Sequence, residues 1–168
     1  MKRRWPAIPV FILLVCIDQI TKYVAKLFLQ GNEPVSLIKD VLEFQYLEGG
    51  NTGAAFGMFQ GKTFLLGCVS LLVFIVITGV FLKLSKEKDN KWLCWCLVVM
   101  AAGAIGNGID RFVHHYVIDF IYFKLIDFPI FNVADCYVTI AAIVLFLLVL
   151  LQKEDKPETT EETHDTEH

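Results

Sequence analysis

The stretch FNVADCYVTIAAIVLFLLVLLQ, residues 131–152, decides the fold, because it is apolar over the length of a bilayer crossing. A spanning helix needs about 20 mainly apolar residues. Asp135 near the start of this run is unusual, since an ionised carboxylate at the edge of a hydrocarbon layer is costly without a partner or a function. The simplest interpretation is local: Asn132 caps the helix, and Asp135 three positions later completes a capping box. A cap is a sufficient explanation only if no other polar groups gather nearby.

Three more apolar segments accompany this one and set the class of protein. The predicted spans are residues 5–29, 63–82, 92–109 and 133–152. The chain has 168 residues, of which 55% are hydrophobic, and this content excludes an ordinary soluble domain of its size. We therefore predict an all-α membrane protein with four transmembrane helices in a single domain, residues 1–152. Residues 153–168 are acidic and of low complexity, and we predict a disordered tail with no assigned function.

Positive charges in the short loops predict the orientation. Seven lie in the N-terminal segment and in the loop between the second and third spans: Lys2, Arg3, Arg4, Lys83, Lys86, Lys88 and Lys91. The other face has four: Lys39, Lys62, Arg111 and Lys124. Because cytoplasmic loops are rich in Lys and Arg, both termini are predicted to be cytoplasmic. The basic N-terminus also imitates a signal peptide, but the apolar pattern continues to Leu29, so we interpret it as a retained first span.

Two longer segments lie on the opposite, outer face. Residues 31–62 contain VSLIKDVLEFQYLEGG (35–50), whose alternating apolar residues between turn signals predict a short extracytoplasmic sheet-like or irregular element. The glycine-rich GGNTGAAFGMFQG (49–61) follows, and its small residues allow close approach to another backbone or a ligand. Residues 114–132 alternate aromatic and charged residues, which favours the membrane interface.

The polar residues of the predicted spans collect towards this outer face. Asp18 and Lys22 are four apart in the first span and are expected to pair on one helix face. Asp110 and Arg111 close the third span, and we expect them to engage each other at an ordinary helix end. Both could be purely structural pairs. This assignment leaves two acids without a basic partner, Asp119 in the outer loop and Asp135 at the start of the fourth span.

Two unpaired carboxylates at the same depth suggest acid–base chemistry. When two carboxyl groups approach in a low-dielectric setting they share a proton, so that one acts as a general base and the other as a general acid. A membrane-embedded hydrolase fits this pattern, and a proton- or ion-translocating protein stays open as an alternative. A carrier is expected to show internal repeats and broken helices near the midplane, which the sequence lacks. A non-catalytic scaffold would leave the two acids unexplained.

Cysteine and histidine spacing gives no sign of a metal site. All five cysteines lie in apolar runs, and Cys94 and Cys96 are too close for a usual zinc pair. We predict free thiols, no metal, no cofactor and no nucleic-acid partner.

Five motifs in order resemble those of the bacterial lipoprotein signal peptidase family (signal peptidase II). They are DQITK at 18–22, NTGAAFG at 51–57, AGAIGNGIDR at 102–111, VIDF at 117–120 and FNVAD at 131–135. The resemblance covers about residues 9–150. One small departure is Ala102, where the family commonly has the first of two glycines.

The resemblance implies a function and a set of site residues. It places the catalytic pair at Asp119 and Asp135. It implies supporting or substrate-binding roles for Asp18, Lys22, Asn51, Gly53, Asn107, Asp110, Arg111, Asn132 and Ala134. It implies an aspartic endopeptidase of the bacterial cytoplasmic membrane whose partners are lipid-modified prolipoprotein substrates and membrane lipids. We expect the enzyme to act as a monomer. Cleavage is expected just before the diacylglyceryl-modified cysteine, at a site near the outer face, with residues 31–62 closing over the substrate.

Overall fold

A computed structural model describes residues 6–54, 58–87 and 90–154, with side chains described up to residue 151. Several predictions fall on residues outside these ranges. They are the N-terminal cations Lys2, Arg3 and Arg4, the start of the first span at Trp5, the segment 55–57 of the glycine-rich motif, the loop cation Lys88 and the tail from residue 155 onwards.

Four long helices form the body of the molecule, and each is long and apolar enough to cross a membrane. They are α1 (Ala7–Leu29), α2 (Thr63–Leu84), α3 (Lys91–Val113) and α4 (Val133–Glu154). The predicted four-span, mostly helical fold is confirmed. Several helix ends differ from the prediction; α2 ends two residues later, at Leu84, and α3 begins one residue earlier, at Lys91. The helix α3 runs four residues past the predicted end at 109, because its polar end is sheltered by neighbouring helices, and residues 153 and 154 belong to α4 instead of the tail.

The helix α3 lies at the centre of the bundle and has the most buried residues of the four. Small residues on α3 make this packing possible. A Cβ atom at Gly103 would lie 2.6 Å from the backbone oxygen of Ala134, and one at Gly106 would collide with the carboxylate of Asp18. The glycines therefore bring α1 and α4 close to α3 at the level where the polar residues gather.

A small antiparallel sheet covers one end of the bundle, which we call the sheet end. Its strands are β1 (Val35–Ile38), β2 (Leu42–Phe44) and β3 (Ile121–Phe123), in the order β1-β2-β3. The predicted sheet-like element is confirmed, and the third strand comes from the second outer segment, where no strand was predicted. In the pairing of β2 with β3, Glu43 lies opposite Tyr122.

Irregular pairing continues beyond the sheet and fixes the segment around Asp119. The amide of Leu47 donates to the carbonyl of Asp119 at 3.0 Å, and Asn51 and Val117 exchange two hydrogen bonds of 2.9 and 2.8 Å. On the other side, Phe120 donates its amide to the carbonyl of Phe131 at 3.0 Å. Beneath this layer an apolar cluster anchors the sheet to the end of α1; its buried members are Ala25, Leu29, Tyr46, Ile118 and Phe120.

Candidate active site

The two acids that lacked a cation in the sequence come together at the sheet end. Asp119 arrives on the extended segment before β3, and Asp135 lies in the first turn of α4. Asn132 contacts both. Its Nδ2 donates to Asp119 Oδ1 at 2.6 Å, and its backbone amide donates to Asp135 Oδ2 at 3.1 Å. One fully buried asparagine therefore joins the two carboxyl groups.

The capping box predicted at the start of α4 is present. The backbone amide of Asp135 donates to Asn132 Oδ1 at 3.0 Å, and Asp135 Oδ2 accepts from the amide of Asn132 in return. The second oxygen of Asp135 has a different partner, because Asn107 Nδ2 donates to Asp135 Oδ1 at 2.7 Å. The cap therefore uses only Oδ2 of Asp135, and Oδ1 binds Asn107.

A buried lysine fixes the orientation of Asn107. Lys22 Nζ donates to Asn107 Oδ1 at 2.9 Å, and Asn132 Nδ2 donates to the same oxygen at 3.0 Å. Since the carbonyl side of this amide is occupied by donors, its NH₂ group faces Asp135. Lys22 is only 1% exposed, and it pairs with Asp18 at 2.9 Å, as predicted, and with Asp110 at 3.1 Å.

Asp18 connects the first helix to the start of the fourth. Its Oδ2 faces Lys22, and its Oδ1 accepts a hydrogen bond of 2.9 Å from the backbone amide of Ala134. Ala134 is fully buried, and its Cβ packs toward Gly106. A carboxylate at the amino end of a helix also interacts favourably with the helix dipole. Asp18 thus holds the turn of α4 that presents Asp135.

Asp110 holds the segment that carries Asp119, as Asp18 holds the turn that carries Asp135. Its Oδ2 accepts the backbone amide of Ile118 at 3.1 Å, next to Asp119 in the chain. Its Oδ1 accepts from Gln19 Nε2 at 3.1 Å, and Gln19 also contacts Asp18 at 3.1 Å. Gln19 was not among the predicted site residues. Its signal was an uncharged amide inside an apolar span beside Asp18.

The predicted pair of Asp110 with Arg111 is wrong. Adjacent residues of a helix do not face each other, so the two side chains diverge. Arg111 Nη2 donates to the backbone oxygen of Gly53 at 3.1 Å, and Nη1 lies 3.4 Å from Ser70 Oγ. Arg111 therefore connects α3 to α2 and to the glycine-rich loop.

The loop residue Asn51 reaches Asp119 from the side opposite Asn132. Asn51 Nδ2 donates to Asp119 Oδ2 at 2.9 Å, and Asn51 Oδ1 accepts the amide of Gly53 at 2.9 Å. The preceding Gly50 has φ +69°, and a Cβ there would collide with the ring of Tyr116. A glycine is therefore needed at position 50 to bring Asn51 to the carboxylate.

The environment of Asp119 lets both its protonated and its ionised form be populated near neutral pH. Asp119 is 1% exposed. Burial, followed by the charge of Asp135, raises the pKa of Asp119 to about 7, against the opposing effect of the donors Asn51 and Asn132. A carboxyl group with this pKa can both give and take a proton at physiological pH.

A cavity of about 1190 Å³ opens beside the two carboxyl groups. Its polar part includes Asp119, Asp135, Asn107 and Arg111. Apolar residues of α2 and α4 form its walls, including Val69, Val73, Val138 and Ile140. Within the described residues, no group of three or more His, Cys, Asp or Glu side chains is placed to hold a metal ion.

In the part of the chain that the structure describes, four helices apolar enough to span a membrane and a small sheet define a polytopic membrane protein, in which two carboxyl groups border a large, mostly apolar cavity. A family model described as "Signal peptidase (SPase) II" matches residues 10–151. The chain belongs to the signal peptidase II family and is an aspartic-type membrane protease of that family.

Relatives and solved structures agree with this assignment. The chain is 39% identical over 157 residues to a lipoprotein signal peptidase of Microcystis aeruginosa, covering 93% of this chain and 98% of the relative. It is 41% identical to one of Thermodesulfovibrio yellowstonii, covering 88% and 95%. A solved structure of a bacterial membrane enzyme superposes with a TM-score of 0.82 at 30% identity, covering 91% of this chain and 92% of that one.

Proposed function

We propose that Asp119 and Asp135 are the catalytic pair of a signal peptidase that acts on diacylglyceryl-modified prolipoproteins. The observation that carries this proposal is the shared asparagine: Asn132 donates to both carboxyl groups, at 2.6 and 3.1 Å, beside the large cavity. The remaining predicted site residues support these two acids through the contacts described above.

The pair divides the acid–base work. With a pKa of about 7, Asp119 is the group that carries a proton near neutral pH. Asp135 then takes a proton from a water molecule, which attacks the carbonyl carbon of the scissile peptide bond. Asp119 gives its proton to the nitrogen of the leaving amine as the carbon–nitrogen bond breaks. The product acid and amine form, and transfer of the proton from Asp135 to Asp119 returns the pair to its starting state.

Supporting residues hold the pair in register. Asn107, Asn51 and Asn132 each donate to a carboxylate oxygen through a side-chain amide. Fixed donors of this kind require no reorganisation during the reaction. Arg111 anchors the carbonyl of Gly53, so the glycine-rich loop stays beside the cavity.

The shape of the cavity supports a lipid-bearing substrate. Its apolar walls suit acyl chains, and its polar part suits a peptide backbone, which is the division expected for a lipidated cysteine next to a scissile bond. We infer cleavage just before that cysteine. We also infer that residues 31–62 retain the substrate and that the enzyme acts as a monomer.

We propose that the site lies near the outer face of the bacterial cytoplasmic membrane and that both termini are cytoplasmic. Lys83, Lys86 and Lys91 lie at the end of the bundle away from the aspartates, which supports this orientation by the excess of positive charge in cytoplasmic loops. A cysteine-accessibility assay on intact cells, with probes placed at positions 40 and 86, tests it. Labelling of position 86 from outside would contradict the orientation.

The catalytic assignment is tested with purified protein and a precursor in lipidated and unlipidated form. We expect cleavage of the lipidated form alone, insensitive to chelators, and loss of cleavage in Asp119→Asn and Asp135→Asn with substrate binding retained. Asp127→Asn is the matched control, because Asp127 lies in the same outer segment and is exposed. Full activity of either Asn variant at position 119 or 135 would exclude that residue from the pair.

A further inference from the structure

A second, smaller groove lies between α3 and α4, towards the end of the bundle away from the aspartates. It has a volume of about 230 Å³ and only apolar or aromatic walls: Trp92, Trp95, Cys96 and Val99 on α3, and Ile140, Ala141, Val144 and Leu148 on α4. Trp92 is 65% exposed at the mouth of the groove. Fifteen residues separate Trp92 from Asn107 on one helix, so the mouth lies about 22 Å from the aspartates.

A positive charge stands at the mouth of this groove. Lys91 Nζ lies 5.3 Å from the centroid of the Trp92 ring, in the range of a cation–π contact. Among the residues that the structure describes, Lys91 forms no ion pair. The adjoining loop has two acids: Glu87 accepts a hydrogen bond of 2.7 Å from Asn90, and Asp89 lies outside the described residues. Residues 83–91 hold four lysines against these two acids, so this end of the bundle is basic.

We propose that this groove binds one acyl chain of an anionic phospholipid whose headgroup phosphate contacts Lys91. Hydrocarbon suits the apolar walls, and a tryptophan ring at a helix end is typical of the boundary between acyl chains and headgroups. Basic residues beside a transmembrane helix attract anionic lipids, whereas a zwitterionic lipid offers no net charge to Lys91. The charge therefore selects the anionic class.

The groove is adjacent to the larger cavity and distinct from it. Ile140 lines both, so its side chain lies between the lipid chain and the contents of the aspartate cavity. All other groove residues lie outside the larger cavity. The lipid proposal goes beyond the proposed peptidase function and does not depend on what the larger cavity binds.

Tryptophan fluorescence gives a direct readout, because the chain has three tryptophans and two line the groove. The full chain with Trp5→Phe is placed in phosphatidylcholine nanodiscs that contain phosphatidylglycerol or phosphatidylcholine brominated on the acyl chain. Both lipids quench Trp92 by collision, since it is exposed. We expect brominated phosphatidylglycerol to quench at lower mole fraction and to saturate, with a preference of about fivefold from one lysine.

Variants separate a binding site from a diffuse basic surface. Lys91→Gln is expected to abolish the preference, and Lys83→Gln, a matched change at the end of α2, is expected to retain it. Val144→Phe fills the groove from a position that is 40% exposed, and it is expected to lose retained phosphatidylglycerol in native mass spectrometry.

Three results would overturn the proposal. They are equal quenching by the two lipids, an equal effect of the changes at Lys91 and Lys83, and protection of Trp92 and Trp95 that rises with protein concentration. The last result would mean that a second copy of the chain covers the groove. Circular dichroism of each variant confirms that the fold is intact.

Discussion

Removing the amide of Asn51 is expected to move the alkaline limit of activity upward while lowering the rate. Asn51 Nδ2 donates to Asp119 Oδ2 at 2.9 Å. This hydrogen bond stabilises the ionised carboxylate and holds the pKa of Asp119 below the value that burial and Asp135 alone would give. In Asn51→Ala the carboxylate loses this donor, so its pKa rises from about 7.

The size of the shift follows from the strength of one hydrogen bond to a charged group. Such a bond contributes about 1.5–3 kcal/mol. One pKa unit corresponds to about 1.4 kcal/mol, so full loss of the bond shifts the pKa by about 1 to 2 units. Asn51 is half-buried beside the cavity, and water can replace part of the lost interaction. We therefore expect a shift of about 1 unit.

The assay is the pH dependence of kcat/KM for cleavage of a lipidated precursor in detergent. If Asp119 is the general acid, as we propose, wild-type activity is expected to fall as pH rises through the pKa of Asp119, because the acid loses its proton. In Asn51→Ala we expect this decrease of kcat/KM, the alkaline limb of the pH profile, to occur at higher pH. Thr52→Val is the matched control, since Thr52 lines the cavity next to Asn51 and its side chain makes no described contact with either carboxyl group. An alkaline limb that is unchanged, or moved to lower pH, would refute the assignment of Asp119 as the proton carrier.

Two further changes test the buried network and the loop. Lys22→Met leaves the carboxylates of Asp18 and Asp110 without their shared cation, and loss of one partner of a buried pair costs about 3–5 kcal/mol. We expect a lower midpoint of thermal unfolding in detergent, and an unchanged midpoint would contradict the role of the lysine. Gly50→Ala imposes left-handed strain of about 1–2 kcal/mol and a collision with the ring of Tyr116, so we expect kcat/KM to fall about tenfold. Adding Tyr116→Ala should recover part of that loss, and no recovery would show that the collision is unimportant.

Hydropathy predicts the helices well because the physical requirement is simple. A span of apolar residues has to cross the hydrocarbon layer with its backbone hydrogen bonds satisfied internally. The same reasoning predicts the end of α3 too early, because the charged residues Asp110 and Arg111 lower the local hydropathy. In the structure Asp110 is buried against Lys22, so the helix continues to Val113 without exposing a charge to lipid.

The parts that sequence reasoning missed depend on long-range placement. The strand β3 has three residues, and it pairs with β2 across about eighty positions of chain, so no local pattern announces it. The predicted partner of Arg111, Asp110, was wrong for a similar reason, since its actual partners Gly53 and Ser70 come from distant segments. The orientation of the Asn107 amide follows from donors on two other helices and has no signature in its own neighbourhood.

The balance of buried acids and cations around Asp119 and Asp135 favours one bound proton on this pair. The interior of the sheet end holds four carboxyl groups and two cations. The acids are Asp18, Asp110, Asp119 and Asp135, and the cations are Lys22 and Arg111. If all were ionised, two of the four negative charges would lack a cation, in a setting where charge is poorly solvated. Lys22 contacts Asp18 and Asp110, and Arg111 lines the cavity with Asp119 and Asp135, so each pair of acids has one cation. A proton on Asp119 removes the excess negative charge at the cavity and relieves the repulsion from Asp135. The asparagines that surround the pair carry no charge, so they fix its geometry without removing the imbalance. The same arrangement that makes the fourth helix start with a costly acid therefore favours an exchangeable proton beside the cavity, where the proposed hydrolysis needs it.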